Sequence, residues 1–108
     1  MARILLINFD DQLSARLAAF LRTQRHDVCV AIEDRNFSQI FKQYVLRADL
    51  LIVDVSHREK YVRDLLRKIA LHRARKGPRP MVLCISRVYR GPRFELDLER
   101  KGARLLYV

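Results

Sequence analysis

Short runs of consecutive apolar residues alternate along this chain with longer segments whose apolar residues recur every three or four positions. Runs that are apolar without alternation are typical of strands buried on both faces of a parallel sheet. The predicted strands are 4–7, 28–32, 50–53, 81–85 and 104–108. Because parallel strands must be joined by crossovers, the segments between them are predicted to be helices, which gives an α/β fold.

Three helices are predicted between the first four strands. The first has Leu13, Leu17, Phe20 and Leu21 on one buried face, after an N-cap from Asp10 or Asp11. The second is predicted over 36–45. The third is predicted over 57–75 and is ended by Gly77-Pro78; its buried face consists of Val62, Leu65, Leu66 and Ile69.

Residues 94–100 follow the break at Gly91-Pro92 and permit two interpretations. Phe94, Leu96 and Leu98 alternate as in a strand, whereas 94 and 98 alone have helical spacing. We predict a short helix that ends at Gly102, because a parallel sheet needs a crossover before its fifth strand.

The length of 108 residues, half of them hydrophobic, is enough for one domain with a single core, spanning 1–108. No apolar run reaches the roughly 20 residues of a membrane span and no signal-peptide pattern opens the chain, so we expect a cytoplasmic protein. Cys29 and Cys84 fall in strands about 14 Å apart, too far for a disulfide, and are expected to be reduced.

The net charge of +10 is concentrated in one third of the chain. Residues 58–93 hold twelve Lys or Arg and two acids, whereas the rest of the chain is balanced. Such a segment suits phosphate, nucleic acid or an acidic partner, and equally a solvated face. In the predicted fold Arg73, Arg75, Lys76 and Arg79 would lie at one end of the sheet and Arg87, Arg90 and Arg93 at the other, which weakens the case for one nucleic-acid groove.

The order of these elements resembles a response-regulator receiver domain, a flavodoxin-like fold with strand order 2-1-3-4-5. Residues 3–10 resemble the first strand and its following acids, 80–87 the fourth strand and 102–108 the fifth. Asp54, at the end of the strand in Ala48-Asp-Leu-Leu-Ile-Val-Asp-Val-Ser56, falls where the family has its phosphoacceptor aspartate. The resemblance implies a doubly wound five-stranded parallel sheet that lacks the last helix of the family.

The chain departs from the family at three of its four catalytic elements. The family's pair of Mg²⁺-binding acids is Asn8-Phe9 here, although Asp10 aligns with a third acid of many members. The family's hydroxyl residue aligns with Ile85, and the alternation of a strand would point Ser86 the other way. The family's lysine would follow Val108. The resemblance therefore implies a pseudo-receiver.

The candidate site residues lie at the carboxyl edge of the predicted sheet. Asp54 is the phosphoacceptor candidate, and Asp10 with Asp54 the candidate ligands of a weak Mg²⁺ site. The alternatives are a helix cap for Asp10 and an inherited, turn-capping aspartate for Asp54. Arg87, Arg90 and Arg93 are candidate binding residues, and we hypothesise that one residue of 87–93 pairs with Asp54. His57 is expected to be polar surface.

The resulting prediction is a non-enzymatic signalling or interaction module of the two-component type, without an obligatory cofactor. Without a fifth helix, one apolar face of the sheet would be exposed, which predicts a homodimer or a docked protein partner on that face and on the fifth strand. The alternatives are a phosphoacceptor receiver that uses Asp54 and a nucleic-acid-associated protein that uses residues 58–93.

Overall fold

Five parallel strands form one sheet in the order β2-β1-β3-β4-β5. The computed structural model describes residues 1–7, 11–31, 47–56, 63–68 and 81–108. The strands are β1 (Arg3–Ile7), β2 (Asp27–Ala31), β3 (Leu50–Asp54), β4 (Met81–Ser86) and β5 (Ala103–Tyr107). The described helices are α1 (Asp11–Thr23), α2 (63–68) and α3 (Pro92–Arg100). The predicted doubly wound, flavodoxin-like arrangement is confirmed.

The sheet has a core on each of its faces, because alternate residues of every strand point to opposite sides. On one side, the α2–α3 face, Leu5, Leu51 and Val82 belong to the same cluster as Leu65 of α2 and Leu98 of α3. On the other side, the α1 face, the buried cluster comprises Ile4, Leu6, Ala18, Val28 and Ile52. The strands in the middle of the sheet are therefore apolar on both faces, as the sequence pattern indicates.

The α1 helix is the element whose packing differs from its prediction. Leu13, Leu17 and Leu21 are partly buried against the α1 face, but Phe20 is 60% exposed. Ser14 and Ala18 are the buried residues of the helix. The prediction of a buried Phe20 is wrong because small side chains mark the line of closest approach and turn the helix so that Phe20 lies at its outer flank.

Residues 94–100 are helical, which confirms the interpretation that favoured a crossover. Gly91 is the N-cap residue with φ 86° and Pro92 occupies the first turn, so the Gly-Pro pair begins α3. A positive φ suits glycine, and a proline in the first turn loses no helical hydrogen bond. Phe94 and Leu98 are buried, whereas Leu96 is 49% exposed.

Several sequence predictions fall outside the described residues: the second helix at 36–45, Ile32, the N-cap Asp10, Gly77-Pro78 and most of the third helix. Residues 63–68 of that third helix are helical, and Leu65 and Leu66 are buried as predicted. No helix in the described part of the chain is long and apolar enough to cross a membrane.

Cys29 lies on β2 and Cys84 on β4, with β1 and β3 between them, and no disulfide joins the two. The separation of their strands in the sheet agrees with the prediction. Burial raises the pKa of the Cys84 thiol to about 12. Cys84 is therefore a protonated core residue at neutral pH rather than a nucleophile.

Candidate functional site at the carboxyl edge

Asp54 is the last residue of β3 and is buried, with its side chain 7% exposed. It lies opposite Ile85 in the β3–β4 pairing. Its Oδ1 accepts a hydrogen bond from the backbone N of Ser56 at 2.9 Å. This is the local turn that an aspartate makes with the backbone two residues on. The turn-capping role that the sequence suggested is therefore present.

Arg87 is the residue of the 87–93 segment that reaches Asp54. Its Nη2 lies 3.7 Å from Asp54 Oδ2, and its side chain is 48% exposed. The contact is an ion pair at the protein–solvent boundary, with the carboxylate on the buried side. A positive charge at this distance compensates a carboxylate that burial would otherwise disfavour.

Ser56 joins the loops that follow β3 and β4. Its Oγ accepts a hydrogen bond from the backbone N of Arg87 at 3.0 Å, and its carbonyl oxygen accepts one from Arg90 Nη2. Because Ser56 also donates its backbone N–H to Asp54, the three contacts tie the end of β3 to the segment that carries Arg87. The ion pair therefore rests on a fixed backbone frame.

The Ser86 hydroxyl is engaged in a turn of its own. Ser86 Oγ donates to the carbonyl of Val88 at 2.6 Å and accepts from the backbone N of Val88 at 3.1 Å. Ile85 packs on the α1 face and Cys84 on the opposite one, so alternation places Ser86 on the face opposite Asp54. The geometry agrees with the displacement inferred from the sequence.

Arg90 fastens the same segment to α3 and β5. Its backbone N donates to Tyr107 Oη at 3.3 Å, and its guanidinium carbon lies 5.9 Å from the centre of the Phe94 ring, a cation–π contact. Tyr89 packs on Tyr107 with ring centroids 5.5 Å apart. Arg90 thus has a structural position, whereas Arg93 lies exposed on the first turn of α3.

The described side chains at this edge provide few ligands for Mg²⁺. Asp10 and His57 lie outside them, so the pairing of Asp10 with Asp54 stays a prediction. No group of three or more possible ligand side chains occurs in the described part of the chain. Asp54 already faces a guanidinium on one oxygen and a backbone N–H on the other, and both compete with a cation for its lone pairs. The described residues therefore do not fit a receiver-type metal pocket.

Sequence reasoning found Asp54 and Arg87 but missed Ser56 and Tyr107. The Asp54-Val55-Ser56 spacing carries a signal for Ser56, since an aspartate commonly caps the backbone two residues on. Tyr107 has no such signal, because its contact with Arg90 depends on the pairing of β5 with β4.

The fold is similar to that of a known class of protein, the response regulator receiver domains. A solved receiver domain protein from Clostridium thermocellum superposes with a TM-score of 0.80 and covers 99% of this chain and 82% of its own. The sequence identity is 18%, so the likeness shows the fold alone. No protein-family model and no curated protein sequence matches the chain.

Proposed function

We propose that this protein is a non-catalytic, receiver-like signalling module that acts through protein contacts, with the Arg87 guanidinium beside Asp54 in place of a metal ion. The observation that carries the proposal is the Asp54–Arg87 ion pair at 3.7 Å, in a frame tied together by Ser56. In metal-assisted phosphoryl transfer, a cation must bind both the carboxylate and the incoming phosphoryl oxygens. A guanidinium on the protein supplies charge but leaves no open coordination position.

The Ser86 turn supports the same proposal. A hydroxyl that both donates to and accepts from Val88 has no spare proton for a phosphoryl oxygen at Asp54, and it lies on the opposite face. The module would then hold one conformation rather than switch between two. The two cysteines, which no disulfide joins, agree with a reducing compartment, and we propose that the protein works in the cytoplasm.

The partner site that we propose is the α1 face beside β5, taken either by another protein or by a second copy of this chain. Leu106 and Val108 are 50% and 69% exposed there. Contiguous exposed apolar side chains are typical of surfaces that another protein covers.

The experiment is a titration of the full chain with Mg²⁺ and beryllofluoride, a phosphoryl mimic, followed by backbone amide chemical shifts. The proposal predicts no shifts centred on Asp54 and Ser56 at millimolar Mg²⁺. Saturable shifts at Asp54 and the 87–91 segment would instead establish a phosphoacceptor receiver that uses Asp54.

A further inference from the structure

The α1 face of β4 and β5 carries apolar side chains at and beyond the margin of the core beneath α1: Leu83 and Ile85 are partly buried, and Leu106 and Val108 are exposed. Val82 and Cys84 belong to the α2–α3 face, so Leu83 and Ile85 point to the α1 face. Ala103 likewise belongs to the α2–α3 face, which puts Leu106 and Val108 on the α1 face. The amide of Val108 continues the pairing with Ser86 at 3.0 Å, so Val108 is held in place.

The flank of α1 that borders these strands is apolar too. Arg22 Nη2 donates to the carbonyl of Val28 at 3.0 Å, so the Arg22 flank of the helix lies over β2. At 100° per residue, Leu17 and Phe20 fall on the opposite flank, towards β4 and β5. We call the surface formed by Leu17, Phe20, Leu83, Ile85, Leu106 and Val108 the α1–β5 surface.

The dimensions of the α1–β5 surface suit one α-helix. The buried core beneath α1 includes Val28 of β2, Ile4 of β1 and Ile52 of β3, and Ile85 of β4 packs at its margin. Beyond β3, the strands β4 and β5 add about 10 Å of width at about 4.8 Å per strand. A helix with its side chains is about 10 Å across.

Two exposed arginines border this surface, whereas Asp54 on the same face is buried and paired with Arg87, and Glu99 lies near Arg104 on the α3 side of β5. Arg104 lies opposite Leu83 in the β4–β5 pairing and is exposed, and Arg16 is exposed one turn before Phe20. A second copy docked about a two-fold axis would bring these arginines towards their own counterparts, on a chain of net charge +10. The charge pattern therefore favours an acidic occupant over a second copy.

We propose that the α1–β5 surface binds an amphipathic α-helix of a partner protein, in which Asp or Glu residues flank the apolar stripe. This inference rests on the proposed function, because it names the class of partner that the module would recognise. The apolar stripe would pack between Phe20 and Leu106, and the acids would meet Arg16 and Arg104.

The test uses two synthetic helical peptides with the same leucine stripe, one flanked by Glu and one by Lys, titrated into the full chain without Mg²⁺. Fluorescence anisotropy should show the Glu peptide binding at least about tenfold tighter at about 50 mM salt, with the gap narrowing near about 0.5 M salt because exposed charges are then screened. Amide shifts should map to α1, β4 and β5.

Matched variants locate the site. Leu106→Lys should weaken binding of the Glu peptide at least about tenfold, since it places a charge in the apolar stripe. Leu96→Lys is the control, because Leu96 is 49% exposed on the outer side of α3, against 50% for Leu106. Arg104→Glu should remove the preference for the Glu peptide, whereas Arg93→Glu should leave it.

Equal binding of both peptides, or binding of neither, would overturn the inference. So would a dimer, seen by sedimentation equilibrium, that Leu106→Lys dissociates, since the occupant would then be a second copy. The proposed function is tested separately. It would be contradicted by amide shifts at Asp54 with Mg²⁺ and beryllofluoride, and the peptide titration contains neither.

Discussion

Asp54 is a buried carboxylate whose two oxygens have different partners. Oδ1 accepts the backbone N–H of Ser56, and Oδ2 faces the guanidinium of Arg87. A buried charge is stable only when it is both hydrogen-bonded and paired, and Asp54 meets both conditions with groups of the chain itself. The partners of Asp54 therefore favour a stable ion pair with Arg87 over a role as a metal ligand.

Ser56→Ala tests the frame around that ion pair. The substitution leaves the backbone N of Arg87 without its acceptor, so we expect the free energy of unfolding to fall by about 1 to 2 kcal/mol. Urea denaturation measures the change. Thr23→Ala, which removes an exposed hydroxyl at the end of α1, should change it by less than about 0.5 kcal/mol. Equal effects of the two substitutions would show that Ser56 does not hold the frame.

Cys84 gives a pH-dependent prediction. Its folded-state pKa is raised from 9.0 to about 12 by burial, so the unfolded chain loses the thiol proton first. The stabilisation of the folded state by the protonated Cys84 thiol is fully present below pH 9 and is lost as the pH rises towards 12.

The measurement is the free energy of unfolding of the wild type and of Cys84→Ala at pH 8 and pH 10. The wild type should lose about 1 kcal/mol more than the variant over that interval, since one pH unit above the unfolded-state pKa corresponds to about 1.4 kcal/mol. Identical pH dependence in wild type and Cys84→Ala would contradict the assigned shift.

At the scale of elements, α3 shows how tertiary context decides an ambiguous sequence. Phe94, Leu96 and Leu98 alternate as a strand would, yet the segment is helical with Phe94 and Leu98 buried and Leu96 exposed. The requirement for a crossover between parallel strands resolved what the periodicity left open. If residues 94–100 formed a strand between β4 and β5, the short connections would require an antiparallel arrangement.

Two leucines of α3 provide a matched pair for testing this packing. Leu98→Ala empties a site that is 0% exposed and should lower the free energy of unfolding by about 2 to 5 kcal/mol. Leu96→Ala, in the same helix, should change it by less than about 0.5 kcal/mol. Thermal or urea denaturation of both variants measures these changes in the free energy of unfolding. Changes of similar size would mean that the buried face of α3 is not the one described.

The apolar runs were sufficient for the strands and for placing Asp54 at the end of one of them, because buried parallel strands have a strong apolar signature. The order of the strands in the sheet came from the resemblance to receiver domains. The sequence was not sufficient for Phe20, whose exposure follows from Ser14 and Ala18 lying at the contact with the sheet. It also missed Tyr107, because the contact of this last residue of β5 with Arg90 depends on the pairing of β5 with β4 rather than on local spacing.

At the scale of the whole molecule, the carboxyl edge of the sheet and the α1–β5 surface would have different roles. The carboxyl edge holds the Asp54–Arg87 pair and fixes the loops after β3 and β4, whereas the α1–β5 surface offers exposed apolar side chains bordered by arginines. The edge and the surface meet at the ends of β4 and β5, where Ser86 and Val108 are hydrogen-bonded. We infer that a fixed carboxyl edge keeps the docking surface in one shape.

The most direct test of the central claim is the affinity of the Asp54 site for Mg²⁺ in the wild type, Arg87→Ala and Arg93→Ala, from amide shifts of Asp54 and Ser56. If the Arg87 guanidinium takes the place of the metal, Arg87→Ala should show saturable shifts at millimolar Mg²⁺ that the wild type and Arg93→Ala lack, because a competing charge has been removed. Equal Mg²⁺ affinity in all three proteins would contradict the account.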